Sequence, residues 1–93
     1  MRFQWDPKKD TINLRKHGLA FEDVVGIFNG LYLELPDEQH EREQRWIVSG
    51  EARGRVVIVV YTWRGNSRRI ISARKATKAE QEEYYSAIYP SGR

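Results

Sequence analysis

The stretch RVVIVVYTWRGNSRRIISAR, residues 55–74, decides the predicted fold. Residues 55–64 are nearly continuous apolar sequence, which is typical of a central strand that is covered on both faces. Gly65-Asn66 fits the two-residue turn of a β-hairpin, of type II′. Residues 67–74 are then expected to return as the neighbouring antiparallel strand.

The same turn predicts which side chains share a face of the sheet. It pairs Arg64 with Ser67 and Thr62 with Arg69, because the turn type fixes the register. Strict alternation then places Arg64 and Arg69 on one face. The other face is expected to carry Arg68, Ser72 and Arg74. A single functional surface therefore cannot use every arginine of the hairpin.

Further elements follow on each side of the hairpin. Alternating apolar residues predict strands at 31–35 and 44–51 and a short edge strand at 3–5. Asp6-Pro7 is typical of a helix start, and this helix is expected to end at His17 before Gly18. A second helix is expected to pack Phe21, Val24, Val25 and Phe28 inward, and Thr77 to Glu80 is a capping box that opens a last helix. This order predicts one α+β domain over residues 1–93, with an antiparallel sheet of about four to five strands, two N-terminal helices and one C-terminal helix.

Composition restricts the chemistry. The chain has 93 residues, no cysteine and a net charge of +3. Disulfides, thiolate zinc sites and cysteine nucleophiles are excluded. The two histidines, His17 and His40, lack metal-ligand spacing, so no metal and no cofactor are expected. There is no signal-peptide pattern and no apolar run of membrane-spanning length. These two features favour a cytoplasmic protein that is not inserted in a membrane.

The charges are unevenly distributed. Residues 1–40 carry 5 basic and 7 acidic side chains, whereas residues 41–93 carry 11 basic and 6 acidic ones. Residues 53–79 contain eight basic side chains and no acidic one. This segment indicates a surface that meets phosphate or an acidic partner. The alternative is that some of these cations only protect strand edges from aggregation.

A polar stripe on the first helix offers groups for catalysis. Lys9, Asn13 and His17 are spaced four residues apart and share one helix face. Cleavage of RNA by its own 2′-OH needs a base, an acid and cations for the phosphorane, and histidine can act as acid or base near neutral pH. The alternative is an ordinary solvated face with His17 near the helix C-terminus.

Several separated motifs resemble the BrnT toxin family. They are FxWDxxKxxxNxxKHGxxF over residues 3–21, ExRWIxxG over 43–50, YTxR over 61–64 and RIISARKA over 69–76, followed by Glu80 and Tyr84. The resemblance spans about residues 3–84. Ala20 departs from the pattern, because a helix-capping hydroxyl is expected before Phe21.

The resemblance implies a fold similar to RelE-type toxins and a toxin of a type II toxin–antitoxin pair. It implies an endoribonuclease that arrests growth by cutting RNA. It also implies neutralisation by a cognate antitoxin with a DNA-binding domain, such as a ribbon-helix-helix, and binding of the complex to operator DNA. The matching motifs imply that the catalytic residues are Lys9, His17, Arg64 and Arg74.

Other basic residues of the strands are expected to bind nucleic acid, namely Arg45, Arg68, Arg69 and Lys75. Two alternatives stay open. One is a non-catalytic module that contacts an antitoxin or nucleic acid through the basic strands. The other is a small structural domain whose charges serve solubility.

Overall fold

A computed structural model describes residues 2–90 of the chain. The elements follow the predicted order, with a short 3-10 helix inserted after the second α-helix. They are β1 (Arg2–Trp5), α1 (Pro7–His17), α2 (Phe21–Val24), the 3-10 helix (Val25–Asn29), β2 (Tyr32–Asp37), β3 (Arg45–Ala52), β4 (Arg55–Arg64), β5 (Ser67–Lys75) and α3 (Lys78–Ile88).

The five strands form one sheet in the order β1-β5-β4-β3-β2. Strands β2 to β5 are an antiparallel meander, which confirms the predicted α+β class. The pairing of β1 was not anticipated, because β1 lies parallel to β5 at the sheet edge. Since β1 and β5 are far apart in the sequence, no short turn forces them to run in opposite directions.

The predicted hairpin register is correct only near the turn. Thr62 pairs with Arg69 and Arg64 with Ser67, and Gly65 has the positive φ of 59° that a type II′ turn requires. Beyond this point β5 contains a β-bulge. Tyr61 pairs with Ile70 but Val60 pairs with Ser72, so that Ile71 is an extra residue.

The bulge corrects the predicted distribution of side chains. Because the extra residue shifts the alternation by one, Ser72 and Arg74 face the same side as Arg69. The prediction that they share a face with Arg68 was wrong. Arg68 alone of the three points to the opposite side, where it lies across from Trp63.

The two faces of the sheet are packed by different helices. One face carries Val57, Val59 and Ile70 against α2 and the 3-10 helix, and we call it the helical face. On the opposite face, α3 covers one end through Val56, Ile58 and Tyr84. The rest of that second face has no helix over it among the described residues, and it is the surface that the arginines reach.

The predicted second helix is only one α-helical turn. It starts at Phe21 and passes into the 3-10 helix at Val25. Ala20 supplies no side-chain cap, as the sequence led us to expect. Instead, Asp10 of α1 accepts a hydrogen bond from the Phe21 amide at 2.8 Å. A carboxylate from a neighbouring helix thus satisfies the amide that a hydroxyl would otherwise cap.

The first helix is fixed to the sheet by Asn13. Its Nδ2 donates to the carbonyl of Ala73 at 2.9 Å, and its Oδ1 accepts from the Ala73 amide at 3.1 Å. Nδ2 also donates to the Leu19 carbonyl at 2.9 Å. The side chain is 6% exposed. It therefore replaces a neighbouring strand at the edge of β5, where β1 has already ended.

Residues 2–90 contain no helix that is long and apolar enough to cross a membrane. The same residues contain no cluster of three or more His, Cys, Asp or Glu side chains with the geometry of a metal site.

Candidate nucleic-acid interface

Four arginines from three strands lie on the face of the sheet opposite the helical face. Register relates them, since Arg45 lies across from Thr62, which in turn lies across from Arg69. Alternation along β4 adds Arg64 to the same face, and the bulge in β5 adds Arg74. We call this surface the arginine face and define it by Arg45, Thr62, Arg64, Arg69, Ser72 and Arg74.

The end of this face next to the hairpin turn holds a small charge network. Glu43 accepts from Arg45 Nε at 2.8 Å and from Arg64 Nη2 at 3.5 Å. The hydrogen bond from Arg45 is the largest of the effects that lower the pKa of Glu43. Arg45 also donates to Nε2 of His40 at 3.0 Å. Arg64 is the less tightly held arginine, because its contact is long and its side chain is 54% exposed.

Next to α3, Arg74 forms a bidentate ion pair with Glu80. Nη1 lies 2.7 Å from Oε1 and Nη2 lies 2.8 Å from Oε2. Glu80 also completes the predicted capping box, because Thr77 and Glu80 exchange backbone-to-side-chain hydrogen bonds. The Arg74 guanidinium is the main cause, and the Thr77 amide the second, that lower the pKa of Glu80 to about 2. The carboxylate fixes the direction of the guanidinium fork.

The polar stripe of α1 meets β5 at the bulge. Lys9 and His17 line a cavity of about 300 Å³ together with Lys16, Ile71 and Ser72. Asn13, the third member of the predicted stripe, also lines this cavity, but its polar atoms are used to hold β5. Ser72 belongs to the arginine face, so the cavity opens beside that face.

The four predicted catalytic residues do not form one cluster. Lys9 and His17 share the cavity that contains Ser72, and Arg74 is two residues further along the same side of β5. Arg74 lies opposite Ile58, which is six positions before Arg64 on β4. At about 3.3 Å per residue this is roughly 20 Å along the strand. Arg64 and Arg74 are therefore too far apart to hold the same phosphate group.

Two of the residues predicted to bind nucleic acid lie elsewhere. Arg68 is 6% exposed, and its guanidinium carbon lies 4.2 Å, 4.7 Å and 5.1 Å from the ring centroids of Phe28, Trp63 and Tyr61. This is a buried cation–π arrangement on the helical face. Lys75 is exposed, but it pairs with Val57 and so also lies on the helical side of β5. Arg45 and Arg69 remain on the arginine face.

The sequence interpretation missed several polar residues of this region. Lys16 lies one turn from Asn13 and two turns from Lys9 on α1, and helical spacing alone places it in the same cavity. The position of Ser72 on the arginine face depends on the bulge, and no residue type in the sequence predicts that bulge. The capping box already explains Glu80 without a catalytic role, and its ion pair with Arg74 was not predicted because the two residues belong to different elements.

Comparison with known proteins identifies the family. Residues 5–80 match the family model described as the ribonuclease toxin BrnT of type II toxin–antitoxin systems. The chain belongs to the BrnT toxin family. It is also similar to the crystal structure of the Brucella abortus ribonuclease toxin BrnT, determined at 1.1 Å resolution, with a TM-score of 0.71 and 28% sequence identity. The match covers 84% of this chain and 99% of that one. No curated protein sequence matches this chain.

Membership of the BrnT family confirms the function predicted from the motifs. The chain is a ribonuclease toxin of a type II toxin–antitoxin system, with RNA as its substrate and a cognate antitoxin as its partner. The match over residues 5–80 includes the stripe on α1, both strands of the arginine-bearing hairpin and Glu80. The BrnT fold thus carries the cations described above on a single domain.

Proposed function

We propose that this BrnT toxin cleaves RNA without a metal ion, at the place where the cavity beside α1 opens onto the arginine face. The 2′-OH of one nucleotide attacks its own 3′-phosphate, which forms a new oxygen–phosphorus bond. The bond to the 5′-oxygen of the next nucleotide breaks. The products are a 2′,3′-cyclic phosphate and a 5′-OH, and no water is consumed in this step.

Each residue then has a defined part. His17 is the acid or base that exchanges a proton with the 5′-oxygen or the 2′-OH. Lys9 binds the phosphate from the other end of the cavity, about 12 Å along α1 from His17. Arg74 stabilises the charge of the phosphorane, because its planar fork binds two oxygens at once. Arg64 binds a phosphate further along the RNA, since it lies roughly 20 Å from Arg74.

The observation that supports this proposal is the β-bulge at Ile71. The bulge turns Ser72 and Arg74 to the side of the sheet that already carries Arg64 and Arg69. It also places Ser72 in the cavity with Lys9 and His17. The bulge therefore supports an arrangement in which His17, which can act as an acid or base, lies beside a face of arginines suited to binding phosphate.

An RNA cleavage assay in EDTA tests the proposal. The wild-type protein is expected to cleave, and His17→Ala combined with Arg74→Ala is expected to abolish cleavage. End-group analysis should find 2′,3′-cyclic phosphate. Strict dependence on a divalent metal, or full activity of the double variant, would contradict the mechanism. Tight RNA binding with no cleavage would favour the non-catalytic binding module instead.

We also propose the cellular setting of this toxin. It acts in the cytoplasm, where it arrests growth until the antitoxin neutralises it. The antitoxin carries a DNA-binding domain of the ribbon-helix-helix type, and the complex binds the operator of its own operon. A gel-shift assay with the upstream DNA tests this last point. Binding by the complex and not by the toxin alone is the expected result, and no shift with the complex would refute it.

A further inference from the structure

A groove lies between α3 and the strands at the end of the sheet away from β1. It has a volume of about 390 Å³, and its floor is formed by apolar side chains of β2, β3, β4 and α3. The apolar lining residues are Leu33, Leu35, Ile47, Ile58 and Ala87. Leu35 is 61% exposed, although it lies beside the packed Ile47. The groove thus leaves part of the α3-side core uncovered.

The charge around this groove is opposite to that of the arginine face. Glu80 and Glu83 of α3 line it, and no described lysine or arginine does. Glu34 borders it from β2, but its side chain projects to the helical face, because Glu34 pairs with Val48. Glu80 is paired with Arg74 and Glu34 accepts a hydrogen bond from Tyr61, whereas Glu83 forms no ion pair with any described residue. An acidic and apolar surface repels RNA. It is complementary to an apolar segment that carries basic side chains.

The sheet edge beside the groove is also open. β2 is the last strand of the sheet, and nothing pairs with its outer edge among residues 2–90. Leu35 projects from this strand next to the groove. A segment of another protein can therefore contact the groove and the strand edge together.

We propose that this groove binds an apolar segment of the cognate antitoxin that carries lysine or arginine residues. The inference rests on the antitoxin partnership in the function proposed above. Glu80 lines the groove and also holds Arg74, so an occupant lies one side chain away from the proposed phosphate site. Occupation of the groove thus blocks RNA at the Arg74 end of the arginine face.

Binding measurements with four charge-changing variants test the docking site. The probe is the purified small protein encoded beside this toxin in its operon, and affinity is measured by calorimetry. Leu35→Lys and Glu83→Lys are expected to weaken binding about 10- to 30-fold each, as loss of a central interface contact does. Leu31→Lys and Glu82→Lys are the matched controls. Leu31 is 62% exposed and Glu82 neighbours Glu83, but neither lines the groove.

Circular dichroism melting of all four variants confirms that each is folded. Unchanged affinity of folded Leu35→Lys and Glu83→Lys, or equal weakening by the controls, would overturn the docking site. Ultracentrifugation of the toxin alone provides a second check. A homodimer that Leu35→Lys dissociates would also overturn it, because a second copy would then fill the groove.

The nuclease assay separates the two proposals. Weak binding by the groove variants supports the docking site even if the toxin proves unable to cleave RNA. If the probe does not bind the wild-type toxin, the antitoxin partnership and the docking site both fail. Metal-free cleavage by the toxin alone would still stand in that case.

Discussion

Arg74 of β5 and Glu80 of α3 are joined by two parallel hydrogen bonds of 2.7 and 2.8 Å. The pair connects the last strand to the start of the last helix, where Glu80 also belongs to the capping box. One carboxylate therefore ties the position of a proposed phosphate-binding residue to the docking of a helix. We therefore expect the stability of the fold at low pH to depend on this pair.

Glu80→Gln should remove a pH-dependent part of the stability. The pKa of Glu80 is lowered from its usual value of 4.5 to about 2. Its contribution is therefore full above pH 4.5 and is lost as the pH falls toward 2, because the unfolded chain binds the proton first. Glutamine keeps the capping box and removes the charge. Since both side chains are partly exposed, we expect a loss of about 1 kcal/mol at pH 7 that vanishes near pH 2.

Urea unfolding at several pH values between 2 and 7 measures this difference. Glu82→Gln, at an exposed position of the same helix, controls for the loss of a negative charge. A difference between wild type and Glu80→Gln that stays constant down to pH 2 would show that the ion pair does not stabilise the fold.

Arg64→Ala and Arg74→Ala should differ in their kinetic effects. The two arginines are roughly 20 Å apart along the sheet, so only one can contact the reacting phosphate. Loss of Arg74 is expected to lower kcat about 100-fold, as the removal of a charge-stabilising donor does. Loss of Arg64 is expected to raise KM several-fold with little change in kcat, because it binds substrate and transition state alike.

Steady-state cleavage of a short RNA provides both constants. Arg74→Lys is an added control, since it keeps the charge but loses the planar fork and should recover only part of kcat. Equal effects of Arg64→Ala and Arg74→Ala on kcat would mean that both arginines reach the same phosphate.

RNA affinity should depend steeply on salt. Four arginines on the arginine face give a slope of log affinity against log salt of about −3 for a single strand. Arg69→Ala should reduce this slope by about 0.7. Arg53→Ala should leave it unchanged, because Arg53 is paired with Asp23 of α2 at 2.7 Å on the other side of the sheet. Fluorescence anisotropy at 50–300 mM salt, in a catalytically inactive variant, measures the slope. A slope near zero would leave the arginine face without phosphate contacts.

Asn13→Leu should destabilise the fold more than any exposed change on α1. The substitution leaves the amide and carbonyl of Ala73 without partners in a buried place. We expect a loss of about 2–4 kcal/mol in the free energy of unfolding, measured in urea. Thr11→Ala, which removes one exposed hydrogen bond to Pro7 on the same helix, should cost under about 0.5 kcal/mol. A small effect of Asn13→Leu would imply that water replaces the amide.

Gly50→Ala should be destabilising because β3 and the 3-10 helix approach closely at this point. A methyl group on Gly50 would lie 2.7 Å from the Cβ of Ile27. Such overpacking costs about 1–3 kcal/mol. Gly26→Ala is the matched control, since a methyl group there meets no atom within 4 Å. Thermal melting compares the two variants, and equal melting temperatures would show that the helix shifts without cost.

The sequence was most informative where local patterns suffice. The Gly65-Asn66 turn, the Asp6 cap of α1 and the Thr77–Glu80 capping box were all confirmed, because each depends on residues within four positions of one another. The bulge was not predictable in this way. Ile70 and Ile71 are both apolar and β-branched, so the pattern does not reveal which of them leaves the pairing.

Long-range packing accounts for the remaining differences. Arg68 was predicted to bind nucleic acid because it lies in the acid-free cationic segment, but Phe28 and Tyr61 come from separate elements to enclose it. Asn13 was predicted only as a member of a polar stripe on α1, because its partner, Ala73, is 60 residues away and no local pattern points to it. Charge and spacing thus predicted a cationic surface, while tertiary contacts decide which cations belong to it.

The extra residue in β5 can be lost without changing which side chains of that strand share a face. Deleting Ile71 would leave the hairpin turn, the net charge and nearly all of the hydrophobic content unchanged. It would also remove the bulge, and Ser72 would still pair with Val60 and Arg74 with Ile58, so both side chains would keep their side of the sheet. A BrnT chain that lacks this residue can therefore carry the same arginine face on a strand that is one residue shorter.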